Sequence, residues 1–209
     1  MFGSFSNTNL PMMLLASIEQ SIAITAPPRG ATRLLFLLLA ATQAGMTAAA
    51  ATGAAPAEIT ANDFTVEINS HAFALGESWT DQARKQAGAQ ISESFVGDVP
   101  AGDTSYRYYQ HRYAGFEIHT ANLFWQTAQR DIDSYMIAQI TITAPAIKTA
   151  RGVTVGDTQN VLIGKYGPGT ADDRDDQHWR YYEAGNKRIS FQLEHGKISH
   201  IMMTLDPGN

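Results

Sequence analysis

The chain of 209 residues contains no cysteine. Without a thiol there can be no disulfide framework, no zinc–thiolate site, no cysteine nucleophile and no lipobox for lipid attachment. Cations are also scarce: 15 Lys+Arg stand against 20 Asp+Glu, a net charge of -5. A nucleic-acid binder needs a basic footprint to displace counterions from phosphates, so that class is disfavoured. Nucleophile elbow, P-loop, dinucleotide glycine fingerprint and H-E-x-x-H are all missing. The glycines of Gly164-Lys-Tyr-Gly167-Pro-Gly169 end a helix instead of opening one, so they offer no row of free N–H groups to a phosphate. The expectation is a protein that is not an enzyme and has no cofactor.

Charge is scarcest at the N-terminus, where residues 1–57 hold only Glu19, Arg29 and Arg33. Arg29 and Arg33 precede an apolar run from Leu34 to Ala41, and small residues follow from Thr47 to Ala51. A positive flank, a short apolar core and an A-x-A site are the parts of a secretory signal peptide. The strongly apolar core, 34–41, is well short of the ~20 residues that a spanning helix needs. Cleavage is expected after Ala50 or Ala51. A retained N-terminal anchor is the alternative, and it would be the chain's one membrane contact. A signal n-region of this length is unusual, which suggests a start assigned too far upstream. The domain organisation is read as 1–51 extension and signal, 52–62 linker, 63–145 repeat 1 and 146–209 repeat 2. Removing 1–51 leaves 13 Lys+Arg and 19 Asp+Glu. An exported chain without disulfides must be held by its core alone.

The mature part states one pattern twice. Phe73-Ala-Leu75-Gly76-Glu77-Ser78 leads to a polar helical stretch ending at Gly88. Val153-Thr-Val155-Gly156-Asp157-Thr158 leads to a second one ending at Tyr166-Gly167-Pro168. Each reads as strand, glycine turn, N-cap hydroxyl, helix and glycine stop, with Ser78-x-x-Asp81 compatible with a capping box. Tyr108-Tyr109 recurs as Tyr181-Tyr182, and Phe116-Glu-Ile118 as Ile189-Ser-Phe191. Ile189, Phe191 and Leu193 alternate with Ser190, Gln192 and Glu194, the period of a half-buried strand. Glu194-His195-Gly196-Lys197 reads as a tight hairpin. The first repeat has about twelve extra residues near Asn122 to Ser134, read as an extra hairpin with Phe124-Trp125 near its tip. The expected fold class is α+β: two tandem repeats, each a short helix or helix pair packed on a three- to four-stranded antiparallel sheet.

The pattern V-x-V-G-D-T, a short helix with Val161, Tyr-Gly-Pro and then YYE…ISFxLxxGKI resembles bacterial exported domains of the β-lactamase-inhibitory-protein type. That broad fold group also includes small lipoproteins of the outer-membrane assembly machinery. The likeness spans Phe64 to Leu205. It implies recognition of another protein through an open sheet face and its loops, without catalysis. The inhibitory members use cysteine pairs, which this chain does not have, and Ala83 stands where the first helix should have an apolar branch. Inhibition of a β-lactamase is therefore not implied.

Among the six histidines none forms an i,i+4 helical pair. His111 and His119 could occupy adjacent strands, and so could His178 and His200. Scattered histidines do not make a metal site, and none is expected. Asp172-Asp173-Arg174-Asp175-Asp176 lacks the alternation and turn glycine of a calcium loop, so it reads as a solvated connection. Glu117, Glu183 and Glu194 are spaced like outward strand residues, not like a carboxylate pair across a cleft. Period two places Tyr106 and Tyr108 on one strand face and Tyr109 and Tyr113 on the other. One pair belongs to the core. The other would lie on the open face, as a binding surface or as cross-strand packing. Phe124 and Trp125 either fold back as a lid or project into a partner.

The function expected from the sequence is an exported, secreted or periplasmic, non-catalytic module that binds another envelope or extracellular protein. Tyr106, Tyr108, Glu117, His119, Phe124 and Trp125 are its candidate contacts. Two alternatives stand beside it: inhibition of an extracellular enzyme by a loop that plugs a cleft, and a small-ligand or glycan-binding module with tyrosines as stacking platforms.

Overall fold

Tight turns set the strand pairing. Asn69-Ser70, Asp175-Asp176 and His195-Gly196 all take positive φ. Paired left-handed residues make the turn whose twist matches a two-residue hairpin. The computed structural model describes Pro56 and residues 58–208. The expected signal peptide, its cleavage position and the first linker residues lie outside the described residues. A 3-10 turn at Ala61–Phe64 opens into a hairpin of β1 (Thr65–Ile68) and β2 (His71–Ala74). Helix α1 (Asp81–Ala87) follows, then β3 (Ser92–Ala101), β4 (Thr104–Tyr113), β5 (Phe116–Ala121) and β6 (Met136–Ile142). Helix α2 (Gln159–Tyr166) precedes β7 (Thr170–Arg174), β8 (Gln177–Ala184), β9 (Lys187–Glu194) and β10 (Lys197–Leu205).

The expectation of two tandem helix-on-sheet repeats is overturned. β3 to β10 form one antiparallel sheet in the order β3-β4-β5-β6-β10-β9-β8-β7, and the described chain is mostly strand with two short α-helices. β6 and β10 pair through Ile142–Ile201, Thr141–Met202, Ile140–Met203 and Gln139–Thr204. An unpaired apolar strand edge is a liability, and each strand removes the other's. Alternation along a strand specifies its faces but not its neighbour, so the sequence pattern is the same whether the halves stand apart or join.

The β6–β10 seam is short, and each strand runs past its partner. There the two glycine turns take over. Gly76 N–H donates to Ile137 O (2.8 Å) and Ile137 N–H to Glu77 O (2.8 Å). Gly156 N–H donates to Ile198 O (2.8 Å) and Ile198 N–H to Asp157 O (2.9 Å). The acids brace the turns, Glu77 accepting from Ala74 N–H and Asp157 from Thr154 N–H. Gly76 and Gly156 sit at φ 88° and 94°, a region costly for other residues. Buried backbone groups need partners, and these turns supply them beyond the seam. The first helix consequently starts later than the sequence predicts. Ser78 bridges to Met136 and Trp79 N–H donates to Tyr135 O, so Thr80 and not Ser78 is the N-cap, accepting from Ala83 N–H.

Both helices, the β1–β2 hairpin and the 147–158 segment cover the same face of the sheet. Two apolar rows meet them: Phe116, Ile142, Ile201 and Phe191, and Ile118, Ile140, Met203 and Ile189. All eight are buried. Tyr166 of α2 packs on Tyr182 and Phe191 at 5.2 Å, and Trp79 on His111 at 5.1 Å. Arg151 fastens the layer, bonding Asp63 through Nε (2.6 Å) and Nη2 (2.9 Å) and lying over the Tyr166 ring. Burial disfavours the Asp63 carboxylate, but the Arg151 bonds and charge and the Thr60 N–H more than offset it, holding its pKa below the usual value.

Two stability measurements check this account. Ile140→Ala, in the fully buried seam, is expected to lower unfolding free energy by about 2–5 kcal/mol in denaturant titration. Gly156→Ala has open space around the added methyl, so its expected loss of about 1–2 kcal/mol is purely conformational.

Candidate binding face

The opposite face of the same sheet is polar and aromatic. Strand register sets its side chains in rows. One row crosses all eight strands: Ser92, Arg112, Glu117, Thr141, Met202, Ser190, Tyr181 and Thr170. The next runs Ser94, Gln110, His119, Gln139, Thr204, Arg188 and Glu183. Neighbours within and between rows are bonded. Glu117 accepts from Arg112 Nε (2.9 Å) and from Gln110 Nε2 (2.8 Å), and Gln139 Nε2 donates to Thr141 Oγ1 (3.0 Å). Arg188 donates to Glu183 and lies over the Tyr181 ring at 4.3 Å. Exposure along the rows is uneven: Ser92 and Arg112 are exposed, whereas His119, Gln139 and Ser190 at the centre are buried.

His119 is the conspicuous group. It is 3 % exposed, and neither ring nitrogen has a hydrogen-bond partner among the described residues. Burial pushes its pKa down from 6.5 to about 4, against the raising influence of the Glu117 charge. His111, one strand away, belongs to the other face, where its Nε2 meets Thr120 Oγ1 at 3.0 Å and its Nδ1 lies 3.2 Å from Glu93. Burial lowers its pKa as well, despite Glu93. The two histidines are on adjacent strands, as the sequence suggests, but they cannot converge. His178 and His200 are separated by β9. No group of three metal-ligating side chains occurs among the described residues.

Tyr106 and Tyr108 share the polar face with Glu117 and His119, and Tyr109 and Tyr113 lie on the other. Tyr106 is buried, with Phe124 packed edge-on at 6.2 Å. Tyr108 is half-buried. Burial raises its pKa first, and the nearby Tyr106 and Asp206 raise it further. Residues 122–134 form a succession of turns where a hairpin is expected, because their polar backbone bonds to itself. Arg130 donates to Leu123 O (2.6 Å) and to Trp125 O, and Asn122 clamps Arg107 N–H and Ile132 O. Phe124 therefore folds back on Tyr106. Trp125, half-buried, turns to a separate groove beside Arg107 and Asp98. The candidate residues thus divide: Tyr108, Glu117 and His119 share the face, Tyr106 and Phe124 close its end, and Trp125 lies elsewhere. Gln139, Thr141, Ser190, Met202, Thr204, Arg188 and Tyr181 complete the face. Their polar alternation in β9 and β10 was visible, but their place beside Glu117 and His119 needs the β6–β10 register.

Asp173 and His178 pair at 2.9 Å, but both are largely exposed and no nucleophile is bonded to them. The described helices include none long and apolar enough to cross a membrane.

Comparison with known proteins adds little to this geometry. No family model matches the chain, and no curated protein matches it. Among solved structures it is similar to the uncharacterized protein yfeY from Escherichia coli, with 15 % identity and a TM-score of 0.39. The match covers 66 % of this chain and 95 % of that one. At that score the likeness has no bearing on fold or function.

His119 gives a test of this face. The folded state holds the ring neutral down to about pH 4, whereas the unfolded chain takes up a proton near 6.5. Between those values the unfolded state binds more protons, so stability falls as pH falls. The expected loss is about 3 kcal/mol across that window. Denaturant titrations of the wild type and His119→Gln should show a shallower pH slope in the variant. Equal slopes would mean that His119 titrates normally.

Proposed function

We propose that this chain is an exported, non-catalytic module that binds another envelope or extracellular protein through the polar face of its sheet. The main observation is the pair of side-chain rows opposite the helix layer, from Arg112 and Glu117 to Ser190 and Tyr181. Tyr and Arg supply contact area at low entropic cost, and a hydrogen-bonded array keeps its side chains in place before a partner arrives. The likeness to the β-lactamase-inhibitory-protein type points the same way. Export rests on the charge-poor, Leu-rich segment 34–41 and the A-x-A sites after it.

The test is comparative capture from an envelope extract. The wild-type chain is set against Tyr108→Ala/Glu117→Arg on the polar face and Val161→Asp on the exposed side of α2. The expected partner is retained at equimolar ratio by wild type and Val161→Asp. The face variant should lose it with a drop of about 2 kcal/mol or more in affinity. Retention by all three chains would place binding elsewhere. If the captured protein is an enzyme, a fall in its turnover at equimolar chain would identify an inhibitor.

A further inference from the structure

Away from that face, at the end of the sheet where β3 turns into β4, a groove of about 300 Å³ opens between the strands and the 122–134 loop. Trp125 and Ile132 form its apolar lining, and Asp98, Thr104, Ser105, Arg107, Asn122 and Gln126 its polar one. These polar groups are in two different states. Asn122 is fully engaged, its Oδ1 accepting from Arg107 N–H (2.8 Å) and its Nδ2 donating to Ile132 O (2.9 Å). It is therefore a brace, locking loop to strand. Arg107 makes a 3.6 Å contact with Asp133 at the rim. The Asp98 carboxylate, the Thr104 and Ser105 hydroxyls and the Gln126 amide make no side-chain hydrogen bond or ion pair among the described residues.

We infer that this groove binds a saccharide, with Trp125 as the stacking platform and Asp98, Thr104, Ser105 and Gln126 as the hydroxyl partners. A pyranose ring has an apolar C–H face and a rim of hydroxyls that both donate and accept. An indole flanked by unspent acceptors and donors complements both parts at once, with aromatic area for the face and a few placed polar groups for orientation. Asp98 accepts from two adjacent hydroxyls, while the Gln126 amide and the two side-chain hydroxyls can also donate. The platform is set before binding. Arg130 N–H donates to Trp125 O (2.9 Å), Ala128 N–H to Phe124 O (2.9 Å), and Arg130 Nη2 to Leu123 O. A fixed platform avoids the ordering penalty that weakens loop-based sites. The groove is open and mostly polar, which suits a hydrated ligand and not an apolar one. The assignment is independent of the protein-binding face, and either can fail without the other.

The experiment is a titration of the full ¹⁵N-labelled chain with chitotriose, cellotriose and maltotriose, following the indole N–H resonances. Trp79, Trp125 and Trp179 give separate signals, and the first packs between Phe73 and His111. The expected result is a saturable shift of the Trp125 signal by at least one trisaccharide, with Kd of about 1 mM or tighter. Affinity should fall at least tenfold in Asp98→Ala and in Gln126→Ala, two exposed substitutions that leave the loop's bracing bonds intact. Trp125→Ala should abolish the shifts of the remaining groove amides. Absence of any saturable shift with all three sugars at about 10 mM overturns the assignment. So does binding that survives both Asp98→Ala and Trp125→Ala.

Discussion

The antiparallel pairing of β6 with β10 organises everything else. Each strand is the last of its half, and each would otherwise present an apolar edge to water. Their four-residue register brings Ile140 beside Met203 and Ile142 beside Ile201. That pairing turns two sets of four strands into one sheet with one continuous apolar face. A sheet this wide needs a wide cover, and the described chain supplies it in pieces: a 3-10 turn, a hairpin, two short helices and the 147–158 segment. None is long enough to be stable alone. Their stability comes from the face they cover, so the Asp63–Arg151 pair, which ties two separate pieces of that cover, matters more than a surface ion pair would.

The same pairing makes the opposite face. Side chains alternate along the paired stretch, so once β6 and β10 are in register the polar positions of β4, β5, β8 and β9 are also aligned. Glu117 in one half and Ser190 in the other become members of one row, though more than seventy residues separate them. Hydrogen bonds among Gln110, Glu117 and Arg112, and between Gln139 and Thr141, follow from that alignment. The polar face is therefore a consequence of the core. His119 shows the tension between them: its position on the row places an imidazole where water is scarce, and the ring responds by staying neutral.

Local chemistry was legible in the sequence. Gly88 and Gly167 stop the helices, Glu194 to Lys197 forms its hairpin, and the two tyrosine pairs separate onto opposite faces. These depend on residues near one another in the chain. The largest departure depends on residues far apart in the chain. Whether β6 meets β10 or its own half's first strand is not encoded in the period of either segment, so one sheet was read as two. The Ser78 cap failed because the residues after Gly76 stay extended to meet Tyr135 and Met136 beyond the seam. The extra residues at 122–134 between two strands suggest a hairpin, but Asn122 and Arg130 bind backbone and curl the segment instead.

The sheet's two outer strands are each poorly suited to pairing with a further strand. β7 ends in Asp172, Asp173 and Arg174, and Asp175-Asp176 completes its turn, so a neighbouring strand would meet a cluster of charge. β3 is more exposed in character, with Phe95 at 53 % accessible and Ile91, just before the strand, at 69 %. It is protected in another way. A bulge between Phe95 and Gly97 breaks its ladder, Pro100 removes a donor near its end, and Glu93 and Asp98 flank the apolar centre. Phe95 also spends one side on Tyr109, which in turn meets Tyr135, so part of its apolar area is engaged within the sheet. Bulge, proline and acids together make β3 a poor template for a further strand. Among the described residues, each edge is thus made unattractive to a further strand by different means: charge at β7, and bulge, proline and acids at β3.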